Sequence, residues 1–355
     1  MSKKSGSKKQ ASKENSARKA PSKKSKDNSA HDSASDSAKD SAPAVHENRV
    51  AVIGCGNVGM ASAFALLQSN IVRELILIDT NSAKAEGEAM DLQQAIAVPM
   101  ESPVKVTAGT YRDAAASSIV VITAGVATDD PNTSRLELLA QNVKIIREIV
   151  GKLKSESFQG ILILTTNPVD VLAQVAQRES GLPPSRVIST GTVIDTARLR
   201  VMLAQKLGVE PRAVDAFIIG EHGDSEIAVW SAARVAGLPL EKFPGADKLP
   251  STAAMLETIR QSAPEIVKRK GSTSYAIGMC VRRICEAILR DERMSLPVST
   301  LLQGEYGVRG VYLGTPCIVG KNGIERVIEL ELDKKEKAGL LHSAKILRNA
   351  LKECD

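Results

Sequence analysis

One of only four histidines, His222, stands in the stretch Gly220-Glu221-His222-Gly223-Asp224, between two acidic residues and two glycines. The carboxylates favour the charged imidazolium and the glycines permit a sharp turn, so acid/base chemistry near neutral pH is open to it. The apolar run Phe217-Ile218-Ile219 before it suits an ordinary strand-end residue equally well, and the motif alone leaves both readings standing. Asp195 and Arg198 lie three residues apart and share one helix face, either as a local ion pair or as two arms of a site. A third grouping, Gly54-Cys55-Gly56-Asn57-Val58-Gly59, is the G-x-G-x-x-G pattern that lets a pyrophosphate approach backbone amides at a helix N-terminus.

That glycine pattern carries weight only between a strand and a helix, and the sequence supplies both. The β-branched run RVAVIG at 49–54 leads in, and the helix former MASAFALLQ follows. A second apolar run, ELILID, ends at Asp79, where a carboxylate can accept hydrogen bonds from the adenine ribose hydroxyls and repel a 2′-phosphate. The cofactor expected is therefore NAD rather than NADP. Cys55 inside the loop reads as a small filler.

Further apolar runs at 104–107, 118–123, 160–165 and 186–190 alternate with helix-length segments such as 136–154, which predicts an α/β fold with a Rossmann-type doubly wound parallel sheet. Ligands of such sheets sit at the carboxyl ends of the strands. The polar clusters Thr123-Ala124-Gly125, Thr166-Asn167-Pro168 and Thr190-Gly191 fall there. From residue 212 the pattern changes to an α+β one. It has antiparallel strands at 214–219 and 226–230 around the histidine turn, helices at 250–269 and 272–293, strands at 294–302, 308–319 and 324–332, and a closing amphipathic helix at 333–352. The division expected is a tail at 1–48, an NAD-binding Rossmann domain at 49–191 and a substrate-binding α+β domain at 192–355.

With 355 residues and 43% hydrophobic content the chain can bury a substantial core, yet residues 1–48 run in Lys, Ser, Ala and Asp and cannot offset their ordering entropy by burial. They are expected to be disordered. Eleven basic and six acidic residues lie in this tail, leaving 36 against 35 in 49–355, so the basic balance of the chain belongs to the tail. Its lysines suit either an anionic partner or a solvated extension, and the absence of aromatic or arginine-rich elements favours the extension, so nucleic acid is not an expected partner. No secretory apolar segment and no run of eighteen apolar residues occurs, so no membrane association is expected. The five cysteines are odd in number and contain no C-x-x-C pair, which fits a reduced, cytoplasmic protein with no metal site.

Across 49–352 the chain resembles the lactate/malate dehydrogenase family. The likeness rests on GCGNVG, Asp79, GEAMDL (87–92), TAG (123–125), SRLELLAQN (134–142), TNPVD (166–170), GTVIDTARLR (191–200), GEHGDSE (220–226) and KGSTSYAIG (270–278), in the family's order and spacing. Within the family, GEHGDSE followed by the Val-Trp at 229–230 is similar to the lactate branch. The resemblance implies reversible reduction of a small 2-oxo acid by NADH, with pyruvate and lactate as the expected pair, and a homo-oligomer, tetramer or dimer.

It makes His222 the general acid/base and Asp195 its partner. Arg198 would clamp the substrate carboxylate bidentately, which lysine could not do, and Arg135, on a mobile lid at 124–136, would polarise the carbonyl. Asn167 and Thr273 would line the substrate pocket. Gly54, Gly56, Asn57, Val58, Gly59, Asp79, Thr123, Ala124, Gly125, Asn142, Thr165 and Asn167 would face the cofactor. Two departures stand out. The lid is one residue longer than usual, and its selectivity position falls on Thr128 or Asp129, without the cation of malate enzymes. Arg200 matches an arginine that relatives activated by fructose 1,6-bisphosphate pair with a histidine, where this chain has Asp215.

Overall fold

The computed structural model describes residues 46–97, 103–126 and 135–354, without the side chains of residues 135 and 136. The first half alternates strand and helix: β1 (His46–Ile53), α1 (Asn57–Leu67), β2 (Glu74–Ile78), α2 (Ser82–Ala95), β3 (Lys105–Ala108), α3 (Tyr111–Ala115), β4 (Ser117–Ile122), α4 (Arg135–Ser155), β5 (Ile161–Leu164), α5 (Val169–Ser180) and β6 (Val187–Ser189). The six strands are parallel in the order β3-β2-β1-β4-β5-β6, the doubly wound arrangement expected.

Period-two alternation explains how the sheet is covered. Val50 and Val52 face one apolar cluster with Leu75, Leu77, Ile119 and Val121, while Ala51 and Ile53 face the other with Ile76, Ile78, Val120 and Ile122. Each large side chain so buried contributes roughly 1.5–3 kcal/mol, so a slip of one residue would be costly. β1 begins three residues before the expected start, because the His46 amide already donates to the Ala116 carbonyl at 2.9 Å.

The second half comprises α6 (Val193–Leu207), the two-residue strands β7 (Val214–Asp215), β8 (Ile218–Ile219), β9 (Ile227–Ala228), β10 (Arg234–Val235) and β11 (Leu238–Pro239), then α7 (Thr252–Lys270), α8 (Tyr275–Leu289), β12 (Met294–Gln303), β13 (Arg309–Gly320), β14 (Gly323–Val327) and α9 (Lys334–Lys352). β8 and β9 pair antiparallel around the histidine turn, as expected, though over fewer residues. The β12–β13–β14 meander does not stand apart. β12 meets β6 at Ser299–Ser189 and continues the parallel sheet as an antiparallel wing, giving nine strands in one sheet.

The last expected strand, 324–332, stops at Val327, because the Tyr306 hydroxyl takes over beyond it, accepting from the Leu330 amide at 2.9 Å and donating to the Ile328 carbonyl at 2.8 Å. The expected helix 272–293 is trimmed to Tyr275–Leu289. Gly271, at φ +83°, closes α7 ahead of it, and Asp291 and Arg293 adopt positive φ behind it.

Candidate active site

The glycine loop follows β1 directly. Gly54 turns the chain at φ +107°, donating its amide to the Ile78 carbonyl at 2.7 Å, and Gly56 caps α1, whose first turn is Asn57-Val58-Gly59. At Gly59 a Cβ would fall 1.8 Å from the Gly54 carbonyl oxygen and 2.8 Å from Thr123 Oγ1, so helix and strand meet as closely as backbone allows. At Gly56 a Cβ would meet no atom within 4 Å, which leaves that amide open to a cleft of about 440 Å³. First-turn amides have no partner within their own helix, and here they border a concave face fit for a diphosphate.

Asp79, at the end of β2, lines the same cleft. Its Oδ2 accepts from the Cys55 amide at 2.7 Å and its Oδ1 from the Asn81 amide at 3.0 Å. Burial works to raise its pKa, but those two amides and the Lys84 charge outweigh that and hold it below the usual carboxylate range. Asp79 is thus an ionised acceptor fixed for hydroxyl groups. Cys55 is buried, and its thiol is pushed up to about 11 by burial and the Asp79 charge, consistent with a filler.

Thr123, Ala124 and Gly125 form the opposite wall, with Thr123 Oγ1 donating to the Gly54 carbonyl at 2.7 Å. Thr165 Oγ1 donates to the Ile122 carbonyl at 3.2 Å, tying β5 to the same edge. Asn142 is buried, with its carboxamide joined to both polar groups of Val126 at 2.7 and 3.2 Å and to the Asn167 carbonyl at 3.0 Å. Those bonds brace the stem of the 127–134 segment against the 166–168 turn. Asn167 itself is exposed at the strand ends.

His222 sits between β8 and β9, in a turn pinned from four sides. Gly220 exchanges main-chain hydrogen bonds with Gly314 of β13 at 2.8 and 2.9 Å, and the Glu221 amide donates to Ser343 Oγ of α9 at 2.6 Å. The His222 amide donates to Asp170 Oδ2 of α5 at 2.9 Å, and its ring Nδ1 meets Asp195 Oδ2 of α6 at 2.6 Å. Asp195 is 3% exposed and the imidazole 23%, so the ring spans from a dry anchor to an open edge.

Arg198 gives one nitrogen to Asp195 Oδ1 at 2.8 Å. The helical ion pair is therefore formed, and a five-donor guanidinium still has capacity for a carboxylate. Thr273 is half-buried in the link from α7 to α8, which reaches the glycine loop through Asn57 Nδ2 donating to Ser272 Oγ at 2.9 Å. Arg135 heads α4, but its side chain, like Thr128 and Asp129, lies outside the described residues.

Burial opposes a charge on His222, but the Asp195 charge and hydrogen bond, with Asp170 and Glu226 behind them, push its pKa up to about 9. Burial likewise works to raise Asp195, while His222 and Arg198 hold it below the usual range. The centre thus keeps a carboxylate–imidazolium pair beside a guanidinium at neutral pH, equipment for giving a proton to an oxygen next to a bound anion.

Two contributors went unassigned from sequence, Asp170 and Glu226. Both are 2% exposed, and burial pushes Asp170 up to about 6 against the pull of the His222 amide. Their signal was a charge inside apolar stretches, VDVLAQVA and EIAVW.

The NAD binding domain family of lactate/malate dehydrogenase matches residues 48–189, and the lactate/malate dehydrogenase alpha/beta C-terminal domain family matches 192–355. L-lactate dehydrogenase of Priestia megaterium is 46% identical over 303 residues, 84% of this chain and 94% of that protein. L-lactate dehydrogenase of Clostridium botulinum (strain Okra / Type B1) is 42% identical over 307 residues, 85% and 96% of the two chains. The crystal structure of minor L-lactate dehydrogenase from Enterococcus mundtii in the ligands-bound form is similar at TM-score 0.83 and 41% identity, covering 86% of this chain and 98% of that one. A lactate dehydrogenase from a Medee basin deep-sea metagenome library gives TM-score 0.83 and 41% identity over 87% and 99%.

Proposed function

The chain belongs to the lactate/malate dehydrogenase family, and from that premise we propose that it is an NAD-dependent L-lactate dehydrogenase, reducing pyruvate reversibly. The observation that carries the chemistry is the 2.6 Å contact of His222 Nδ1 with buried Asp195, with Arg198 on the same carboxylate. Residues Gly54 to Gly59 and Asp79 would hold NADH, Asp79 accepting from its ribose hydroxyls, and the bound cofactor would supply the hydride.

The protein's residues do the rest. Asp195 fixes the ring through Nδ1, which leaves Nε2 to donate a proton to the carbonyl oxygen of pyruvate and to recover it from lactate. Arg198 holds the substrate carboxylate, with Asn167 and Thr273 along the pocket. Arg135 closes over the carbonyl with the lid and excludes water. Residues 49–191 form the NAD-binding domain, which also lends Arg135 and Asn167 to the substrate, and 192–355 form the substrate-binding domain.

The selectivity position falls on Thr128 or Asp129, and neither offers a cation to a second carboxylate. Asp129 facing inward would repel oxaloacetate by about 4 kcal/mol at about 4 Å for an effective dielectric of about 20. Steady-state kinetics with NADH test this: kcat/KM for pyruvate exceeds that for oxaloacetate by at least about tenfold, and Asp129→Arg narrows the gap. Oxaloacetate as the better substrate would overturn the lactate assignment. We also propose a cytoplasmic homo-oligomer, tetramer or dimer, which sedimentation of the purified protein checks. Its five cysteines are buried, and no helix among the described residues is long and apolar enough to cross a membrane.

A further inference from the structure

Glu226, the last residue of the GEHGDSE motif, enters none of the steps above, yet it lies within the charge field of the proton donor. A carboxylate oxygen of Glu226, a ring nitrogen of His222 and a carboxylate oxygen of Asp195 all lie within 4.8 Å of one another. Glu226 is 2% exposed, and its Oε1 is buried without a hydrogen-bond partner. Arg260 of α7 comes from the other side but spends Nη2 on the Glu226 backbone carbonyl at 2.7 Å, and its Nε is buried and unpartnered.

A buried carboxylate with an unpartnered oxygen is costly when ionised and far less so when protonated. The surrounding groups bear on the choice. Asp195 disfavours a second negative charge at this spot. His222, Arg198 and Arg260 favour one, Asp170 lies behind the His222 amide, and Cys280 of α8 is buried and neutral. Burial comes first and the Asp195 charge second, and together they push Glu226 up to about 8.

Resting on the assignment of His222 as the proton donor to pyruvate, we propose that Glu226 is a positioning residue for that step: it carries a proton at neutral pH and, by losing it in alkali, keeps His222 charged to higher pH. At neutral pH the ionised carboxylates around the imidazolium are then Asp195 and Asp170, without a third charge from Glu226, and Arg198, bonded to Asp195 through one nitrogen, keeps its other donors for the incoming substrate anion. As Glu226 ionises, its charge raises the affinity of His222 for its own proton, so reduction persists further into alkali than Asp195 alone would allow.

The experiment compares wild type, Glu226→Gln and Glu226→Asp across pH 6–10, reading kcat/KM for pyruvate reduction and the dissociation constant of NADH. Glu226→Gln is isosteric and neutral, so NADH binding is unchanged, while the alkaline limb, read relative to the variant's own activity at pH 6.5, moves down by about one pH unit. Glu226→Asp retains part of the wild-type limb. An unmoved limb overturns the proposal, as does a Gln variant that loses activity equally at every pH, the mark of a packing role.

Infrared spectra of wild type labelled with ¹³C-glutamate, with NADH bound, give a reading that needs no variant. A protonated glutamic acid band is present at pH 6.5 and lost by about pH 9. Its absence at pH 6.5 refutes the proposal even if both variants fail to fold. A wild type that binds NADH and shows the band but does not reduce pyruvate overturns the substrate assignment and leaves the protonation of Glu226 standing.

Discussion

The cofactor cradle and the proton-transfer centre lie in the same compact unit, 42–355, but are made in different ways. The cradle is built from backbone. Its defining features are the close approach at Gly59, where an added Cβ would fall 1.8 Å from the Gly54 oxygen, the open face above Gly56, and Asp79 held by the amides of Cys55 and Asn81. These features come from residues 54–81, in one turn-helix-strand passage, with Thr123, Ala124 and Gly125 as the opposite wall. The centre is built from buried side-chain charge. Asp170, Asp195, His222 and Glu226 come from α5, α6, the histidine turn and its exit, and burial both penalises each charge and strengthens their mutual coupling. A site made of backbone tolerates side-chain exchange and fails on steric change. A site made of coupled charges responds to the loss of one proton acceptor.

The comparison breaks first at His222. His222→Ala lowers kcat by about 10²–10⁴ while the NADH dissociation constant stays within twofold or so, because the ring serves substrate alone. Turnover within about tenfold of wild type would dissolve the distinction between the two regions. On the cradle side, the ionised Asp79 makes NADH better than NADPH by about 10²–10³ in kcat/KM, a difference that competing both cofactors against pyruvate would reveal, and equal use would mean another cation faces the ribose.

Gly59→Ala has the opposite signature to His222→Ala: NADH affinity falls by about tenfold or more and the thermal midpoint drops several degrees, for about 1–3 kcal/mol of overpacking. The kcat at saturating NADH moves little. A variant with normal NADH binding would show that α1 can shift off β1 freely.

The smallest effect concerns Arg200, outside both regions. It pairs with Asp215 Oδ1 at 3.4 Å, donates Nε to the Ala216 carbonyl at 3.0 Å and lies 5.1 Å from the Phe217 ring centroid. With a carboxylate already against the guanidinium, fructose 1,6-bisphosphate leaves the pyruvate KM within about 1.5-fold. A clear fall in KM would mean that Asp215 swings away.

How far each region could be read from the sequence follows from how it is made. The glycine loop and Asp79 are local, and a turn that needs glycine at 54 and 59 advertises itself. The Asp195–His222 pairing spans 27 residues, and only the family resemblance joined those two residues beforehand. Asp170 and Glu226 were visible as letters in TNPVD and GEHGDSE, but a role that consists of facing one imidazole depends on packing that sequence spacing does not encode. The β12 to β14 wing was legible as antiparallel strands, while its junction with β6 has one paired position, Ser299 with Ser189, between residues with nothing distinctive about them. Asn142, proposed to face the cofactor on the family resemblance, also bonds both main-chain groups of Val126 and the Asn167 carbonyl, contacts that sequence spacing does not encode.

The account turns on whether buried carboxylates hold His222 as an imidazolium. NMR titration of the His222 ring in the NADH-free protein, assigned by comparison with His222→Asn, measures that directly. The expected pKa is about 9, above the ordinary histidine value of 6.5. In Asp195→Asn, where burial is opposed by weaker forces, it falls toward or below the ordinary value of about 6.5. The sign carries through to function and stability. A raised histidine pKa keeps pyruvate reduction intact until pH approaches about 9, while its share of folding stability, complete below about 6.5, is lost as pH rises through about 9. A wild-type pKa at or below 6.5, unmoved by Asp195→Asn, would contradict the account.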